Sequence, residues 1–178
     1  MPETSMTIRI RAIRGDIYSE YSEDFDSFPY SLSSPWTPPN FKTTNSASDN
    51  VAALNDALTS HSKVKITTPG VYEINDTIYI PSNRTLEFVA GCTLRKKTGS
   101  NFCHVIANKG MQTRSYDTNI TIIGNGLIID PNGVDVRNSI LYGCIGHFNF
   151  FKVHNPYVSG VTILNESNEY GMELVRID

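Results

Sequence analysis

With 178 residues, 39% hydrophobic and 19% charged, the chain is long enough for one packed core and a small appendage, and too apolar for disorder throughout. A formal net charge of −3 argues against nucleic acid as a general partner, since phosphate binding needs clustered Lys and Arg. No apolar run reaches membrane-spanning length.

The N-terminal MPETSMTIRIRAIRG lacks the apolar centre of a secretory signal. Either the protein is not exported by that route or its leader has been removed, and the initiator Met favours the first. Within it, 6-MTIRIRAIR-14 alternates as a short strand with a basic face. An acidic, aromatic run follows, 16-DIYSEYSEDFDSF-28, which contains no Lys or Arg. Next comes 29-PYSLSSPWTPPNF-41, whose prolines fix φ and remove donors, so this piece is expected outside any sheet or helix. Residues 1–45 therefore read as an extended arm. Its aromatic residues Tyr18, Tyr21, Phe25, Tyr30, Trp36 and Phe41 would be wasted in solvent, and an arm that orders against a partner explains them.

The stretch 49-DNVAALNDALTS-60 predicts a short amphipathic helix. Asp49 or Ser48 would cap it, Val51, Leu54 and Leu58 would share its apolar face beside Ala53 and Ala57, and Asn55 and Asp56 would face out. From Lys63 onward strands and turns are predicted: VKIT, VYEIN, TIYI, RTLEFV, CTLRK, HVIAN, NITIIG, GLIID, NFFKV and GVTIL. All are short and rich in β-branched or aromatic residues. No second amphipathic helix intervenes, which argues against βαβ crossovers. The connectors PSN, AG, KTGSN, GNG, DPNG, HNP and NESNEYG are rich in Gly, Asn and Asp, residues that accept positive φ or bond their own backbone. Similar segments recur loosely, with 119-NITII-123 echoed in 159-SGVTIL-164. Such recurrence fits coils of roughly 20 residues stacked in parallel, with Ile120, Ile122 and Leu127 or Ile128 pointing inward. An antiparallel sandwich, with Gly124-Asn125-Gly126 as a tight hairpin, is the structural rival.

These residues resemble a known family. The helix, then 69-PGVYEINDTIYIPSNRTLEFVAGCTLRK-96, then 119-NITIIGNGLIID-130 and 158-VSGVTILNESNEYGMEL-174, are similar to the opening of pectate-lyase-like right-handed parallel β-helix proteins. The resemblance covers about residues 48–178. It implies an all-β fold: a right-handed parallel β-helix, or solenoid, with a short N-terminal capping α-helix and an extended N-terminal arm. Residues 1–45 would then be the attachment arm, and 46–178 the capping helix with the first coils. The chain stops in 172-MELVRID-178 without a cap, so the sequence is expected to be the N-terminal portion of a longer polypeptide. The fold hosts polysaccharide lyases, polygalacturonase-type hydrolases, esterases and phage tail spikes, so it specifies activity weakly.

No catalytic residue is assigned in this portion. The Asn-Thr-Asp, Asp-Asp and Gly-His-Gly motifs of the resembling hydrolases are absent. Acid–base cleavage of a glycosidic bond needs two carboxylates about 5–10 Å apart. Neighbouring coils could bring Asp130, Glu166, Glu169 or Asp178 near one another, which spacing does not show, and each reads more simply as a turn or surface charge. His104, His147 and His154 have no metal-ligand spacing, so neither a metal site nor a cofactor is expected. Cys92, Cys103 and Cys144 read as buried free thiols. The sequons at Asn75, Asn83, Asn119 and Asn165 read as turn and strand chemistry, and Asn83, Asn125 and Asn132 as corner residues.

The aromatic group 148-FNFF-151 with Tyr142, Tyr157 and Tyr170 has two readings: core and intersubunit packing, or a sugar-binding groove with Tyr142, Phe151 and Tyr170 as its glycan contacts. Alternation places Phe148 and Phe150 on one face and Phe151 on the other. Three functions compete. One is a virion structural protein, the N-terminal portion of a homotrimeric phage tail spike or appendage. It would be assembled in the host cytoplasm, bound to other tail proteins through the arm, and directed at host-surface polysaccharide or teichoic acid, with any hydrolase or lyase activity further along the polypeptide. Another is a polygalacturonase-like glycoside hydrolase cut before its active site. The last is a non-catalytic adhesin.

Overall fold

The computed structural model describes residues 7–8, 13–14, 17–18, 25–26, 34–133, 146–164 and 170–177. The chain divides into two compact units, Met1–Ser34 and Pro35–Asp178. In the first, β1 (Thr7–Ile8) pairs antiparallel with β4 (Phe25–Asp26), and β2 (Ile13–Arg14) pairs antiparallel with β3 (Ile17–Tyr18). The described parts of the strand expected over residues 6–14 are thus β1 and β2.

The division falls at Ser34, earlier than the boundary at residue 45 expected from composition. Two aromatic residues assigned to the arm explain the shift. Trp36 makes a parallel bridge to Val64, donating its N–H to the Lys63 carbonyl and accepting from Lys65 N–H, both at 2.9 Å. Its indole stacks on His61, with ring centroids 4.1 Å apart. Phe41 is buried and stacks on Tyr72 at 4.3 Å. The prolines do not keep this stretch off the sheet, because Trp36 retains both backbone groups and uses them at an edge.

The helix α1 spans Ala47–Ser60. Its cap is Ser46, two residues before the expected Ser48, and the Ser46 hydroxyl accepts from Asp49 N–H at 3.2 Å. Leu54, Ala57 and Leu58 are buried, as the periodicity requires, while Val51 and Ala53 are half-buried. Asn55 does not simply face out. Its side chain accepts from Tyr79 N–H at 2.8 Å and donates to the Thr77 carbonyl at 3.2 Å. At the other end Arg84 satisfies orphan carbonyls, donating to Leu58 O at 2.6 Å and Thr59 O at 3.1 Å.

The chain then alternates between two parallel sheets. Strands β5 (Lys63–Ile66), β6 (Gly70–Ile74), β8 (Arg84–Phe88), β9 (Cys92–Lys96), β12 (Ile120–Asp130) and β14 (Tyr157–Ile163) form one, in the order β5-β8-β12-β9-β6 with β14 also on β12. Strands β7 (Ile78–Ile80), β10 (Ile106–Asn108), β11 (Asp117–Thr118), β13 (Gly146–His154) and β15 (Tyr170–Ile177) form the other, in the order β11-β13-β10-β7 with β15 also on β13. Every described pairing in these two sheets is parallel.

The expected all-β right-handed parallel β-helix is corrected by this topology. The structure is an α/β-type arrangement of curled parallel sheets with one helix, not a clear solenoid. A solenoid needs coils of near-constant length, one strand per face. Here β12 is a single strand that pairs β8 at its start and β9 at its end, so what would be two faces merge into one sheet. The sequence separations of partners are also unequal: Val64 pairs Leu86, whereas Ile106 pairs Phe148. The antiparallel rival fails too, since Gly124-Asn125-Gly126 is no hairpin but a corner within β12.

Alternation sets the core. Ile120, Ile122, Leu127 and Ile129 are fully buried, with Leu86, Leu94, Ile74 and Ile80 from neighbouring strands. Each such burial is worth about 1.5–3 kcal/mol. Ile128, one candidate for the inward set, is only half-buried, because the left-handed Asn125 (φ 48°) shifts the register between Ile123 and Leu127. Phe148 and Phe150 share the inner face, with rings 4.9 Å apart. Cys92 is a buried free thiol as expected, but Cys103 is disulfide-bonded. Residues remote in sequence become neighbours only through strand pairing, which spacing does not reveal.

Two outcomes are expected. A Cβ on Gly124 would overlap the carbonyl of Gly160 on the adjacent strand, so Gly124→Ala should lower the urea midpoint, by about 1–3 kcal/mol of stability. Cys92 and Tyr72 both donate to the Thr68 carbonyl. Burial pushes the Cys92 thiol up, and burial, followed by the nearby Cys92 charge, raises the Tyr72 phenol. The unfolded chain therefore releases these protons first, from about pH 8.5 for the thiol and about pH 10 for the phenol. Their contribution is complete below that range and is lost as pH rises through the folded values. Urea midpoints should fall as pH rises above about 8.5 and continue to fall above about 10, and Cys92→Ala should flatten the earlier part of the fall.

Candidate functional site

The site begins with a buried carboxylate. Asp117, in β11, is 6% exposed. Its Oδ1 accepts from the Ser82 hydroxyl at 2.7 Å, and its Oδ2 accepts from Asn108 Nδ2 at 2.8 Å and from Gly110 N–H at 2.5 Å. Ser82 in turn accepts from Thr118 N–H at 3.1 Å. A buried carboxylate is tolerable only when its lone pairs are engaged in this way.

The network places two walls. On one side, the Gly110 N–H fixes the 3-10 turn Lys109–Thr113. A Cβ on Gly110 would meet Asp117 Oδ2 at 2.8 Å, so the carboxylate needs glycine there. The turn ends at Arg114 in the left-handed conformation (φ 56°), which leaves its side chain exposed. On the other side, Asn108 is fully buried and pairs with the Phe151 backbone: Phe151 N–H donates to Asn108 Oδ1 at 2.8 Å, and Asn108 Nδ2 donates to Phe151 O at 3.0 Å. Its amide thus takes over where the β10–β13 register ends at Asn149. Lys152 follows, itself left-handed (φ 57°).

Between these walls lies a hollow of about 500 Å³ lined by Met111, Arg114, Phe151 and Lys152. That volume falls within the range of about 300–1,000 Å³ of small-molecule sites. Lys152 Nζ donates to the Arg114 carbonyl at 2.8 Å and lies 5.4 Å from the ring centroids of both Phe151 and Tyr116. Tyr116 is half-exposed and stacks on His154 at 4.7 Å. The Arg114 guanidinium has no hydrogen-bond or ion-pair partner among the described residues. The arrangement offers an aromatic face, a thioether and two cations to a ligand, and none of the four lining residues is a carboxylate.

Of the residues expected to contact glycan, Phe151 lines this hollow. Tyr170 begins β15, where its backbone pairs Gly146, and Tyr142 lies outside the described residues. Of the arm residues, Tyr18 and Phe25 lie in β3 and β4, Tyr21 and Tyr30 lie outside the described residues, and Trp36 and Phe41 pack within the second unit. Asp130 is a turn residue: it pairs with Arg95 at 2.9 Å and accepts from Asn132 N–H at 2.8 Å. Glu166, Glu169 and Asp178 lie outside the described residues. His104 and His147 are buried, and His154 carries the Tyr116 stack. Among the described residues no group of three or more His, Cys, Asp or Glu is placed to hold a metal ion.

The sequence reading passed over 109-KGMQTRSYD-117, which has neither strand alternation nor a known motif. A usable signal lay beside it. Asn83, Asn119 and Asn155 are all left-handed, with φ of 59°, 53° and 54°. They are spaced 36 residues apart, and each side chain bonds the next: Asn119 Nδ2 to Asn83 Oδ1 at 2.9 Å, and Asn155 Nδ2 to Asn119 Oδ1 at 3.3 Å. The equal spacing of three Asn corners places β8, β12 and β14 in register, and the Asn119 N–H beside them donates to the His154 carbonyl at 2.8 Å.

No family model matches the chain, and neither curated proteins nor solved structures give a match. Among the described residues no helix is long and apolar enough to cross a membrane.

Asn108→Ala removes three side-chain hydrogen bonds and leaves the Phe151 backbone groups and Asp117 short of partners. A loss of about 2–4 kcal/mol in urea denaturation is expected, where an exposed-face control such as Thr162→Ala should change stability by less than about 0.5 kcal/mol.

Proposed function

We propose that this chain is a virion structural protein, the particle-proximal portion of a homotrimeric bacteriophage tail spike or appendage that recognises a host-surface glycan. It assembles in the host cytoplasm and acts on the phage tail. The Met1–Ser34 unit is the attachment segment toward other tail proteins, and the Pro35–Asp178 unit carries glycan recognition.

The observation that carries this reading is the hollow at Phe151. A half-buried ring wall with adjoining cationic groups suits a sugar, whose C–H face packs on an aromatic ring while its hydroxyls and any charged substituent meet donors. Three further features support it. Asp117, behind the hollow, and Asp130 are both engaged in holding turns, and none of the four lining residues is a carboxylate, so the site is read as gripping rather than cutting. A separate N-terminal unit precedes the sheets. The motifs at 119–130 and 158–174 support kinship with pectate-lyase-like proteins, a group that includes phage tail spikes.

Sedimentation of the purified chain provides the test, with a trimer expected. A monomer that hydrolyses polygalacturonate would replace this reading with the glycoside hydrolase. Phe151→Ala is expected to weaken retention on bacterial cell-wall polysaccharide by about tenfold, in line with about 1–1.5 kcal/mol for a lost aromatic contact, while the unfolding transition stays cooperative. Unchanged retention would remove Phe151 from the site.

A further inference from the structure

We infer that Cys103 closes a redox-sensitive clasp over the buried ammonium of Lys96, a clasp that is open in a reducing cytoplasm and locked by oxidation outside the cell. The timing rests on the particle reading; the clasp itself stands without it.

The clasp begins at the end of β9. Alternation there turns Cys92, Leu94 and Lys96 to the interior, and Lys96 is fully buried. An ammonium in that position needs its hydration replaced, and the segment 97–103 supplies the replacement. Lys96 Nζ donates to the Phe102 carbonyl at 2.9 Å and to the Cys103 carbonyl at 2.8 Å, and it lies 4.7 Å from the centre of the Phe102 ring. Phe102 is buried, while Lys97, Thr98, Gly99 and Asn101 are exposed.

Opposing terms act on this segment. Burial of the Phe102 ring favours closure, whereas taking the Lys96 ammonium out of water opposes it. The flanking backbone does not depend on the outcome. β9 is paired with β6 and β12, and β10 with β7 and β13. From His104 onward the sheets take over: the Thr77 hydroxyl donates to the His104 carbonyl at 2.7 Å, Val105 N–H to the His147 carbonyl at 2.7 Å, and Ile78 N–H to the Val105 carbonyl at 2.9 Å. One covalent bond can therefore tip the segment and leave the sheets as they are. The disulfide at Cys103 is that bond, and it removes open conformations from those available. Cys103 is only half-buried, within reach of a small thiol or disulfide, whereas Cys92 is fully buried and stays a thiol.

A chain assembled in a cytoplasm meets reduced glutathione, and a particle outside the cell does not. Oxidation joins the sulfur of Cys103 to that of its partner thiol and releases both thiol protons. The electron pair passes to a low-molecular-weight disulfide such as glutathione disulfide, whose S–S bond breaks to give its thiols.

In the test, the full chain is made in a reducing cytosol and alkylated with iodoacetamide at lysis, or first treated with glutathione disulfide. Cys103 is expected to be alkylated at lysis, and after oxidation to resist alkylation until dithiothreitol is added. Hydrogen exchange over 97–103 should be at least about tenfold slower in the oxidised chain than in the chain kept in dithiothreitol, with Ile106–Asn108 equally protected in both. Cys103→Ser should exchange over 97–103 at the reduced rate whatever the oxidant, with the same protection of β10, which separates loss of the clasp from misfolding. Cys103 already bonded at lysis would overturn the timing. Cys103 still alkylated after oxidation, or exchange over 97–103 that ignores the oxidant, would overturn the clasp. A monomer on sedimentation would overturn the particle reading and the timing with it, and leave the clasp standing.

Discussion

The second unit depends on one obligation: the backbone N–H and C=O groups of its parallel strands must be matched by strands from elsewhere in the chain. Parallel neighbours cannot be joined by a tight hairpin. The polypeptide must leave one sheet, pass through the other and return. Each departure needs a corner, and the corners fall on residues that accept positive φ. Asn83, Asn119 and Asn155 do this at matching points and bond one another through their side chains. The ladder therefore satisfies polar groups and sets register at once. A slip of one residue would break these bonds and turn Ile120, Ile122, Leu127 and Ile129 out of the core.

The same obligation creates the site. Where the β10–β13 pairing ends, the Asn108 amide stands in for a neighbouring strand and holds the Phe151 backbone. It also touches Asp117, whose carboxylate fixes the turn that carries Arg114. Two walls from distant parts of the chain are thus positioned by one buried polar cluster. Left without partners, each of its groups would cost about 1–3 kcal/mol. Completed, the cluster holds the backbone of both walls of the hollow in place.

Local features were legible. Spacing of Leu54, Ala57 and Leu58 located the helix, and strand alternation located most of the core. Asn83, Asn125 and Asn132 were recognisable as corners, and all three have positive φ. Errors arose wherever distant residues decide. Asn55 belongs to an exposed helix position by periodicity, but strand β7 arrives against it and takes its amide. Trp36 and Phe41 belong to a proline-rich arm by composition, but His61 and Tyr72 supply stacking partners. Ser46 outcompetes Ser48 as the cap because only the chain's approach to the helix selects between nearby hydroxyls. Cys103 reads as a free thiol because an odd number of cysteines without a spacing pattern does not announce a bridge.

The sequence by itself determined the period-two strands, the single helix and the left-handed corners, since dihedral preference and amphipathic spacing act within a few residues. Tertiary structure decided which strand lies beside which. Many short strands of similar composition compete for each place, and the winner is set by summed packing and backbone satisfaction over the whole unit. That choice merged β8, β9 and β12 into one curled sheet instead of separate coil faces. It also brought Arg114 to Phe151, a meeting that neither residue's neighbours in sequence announce.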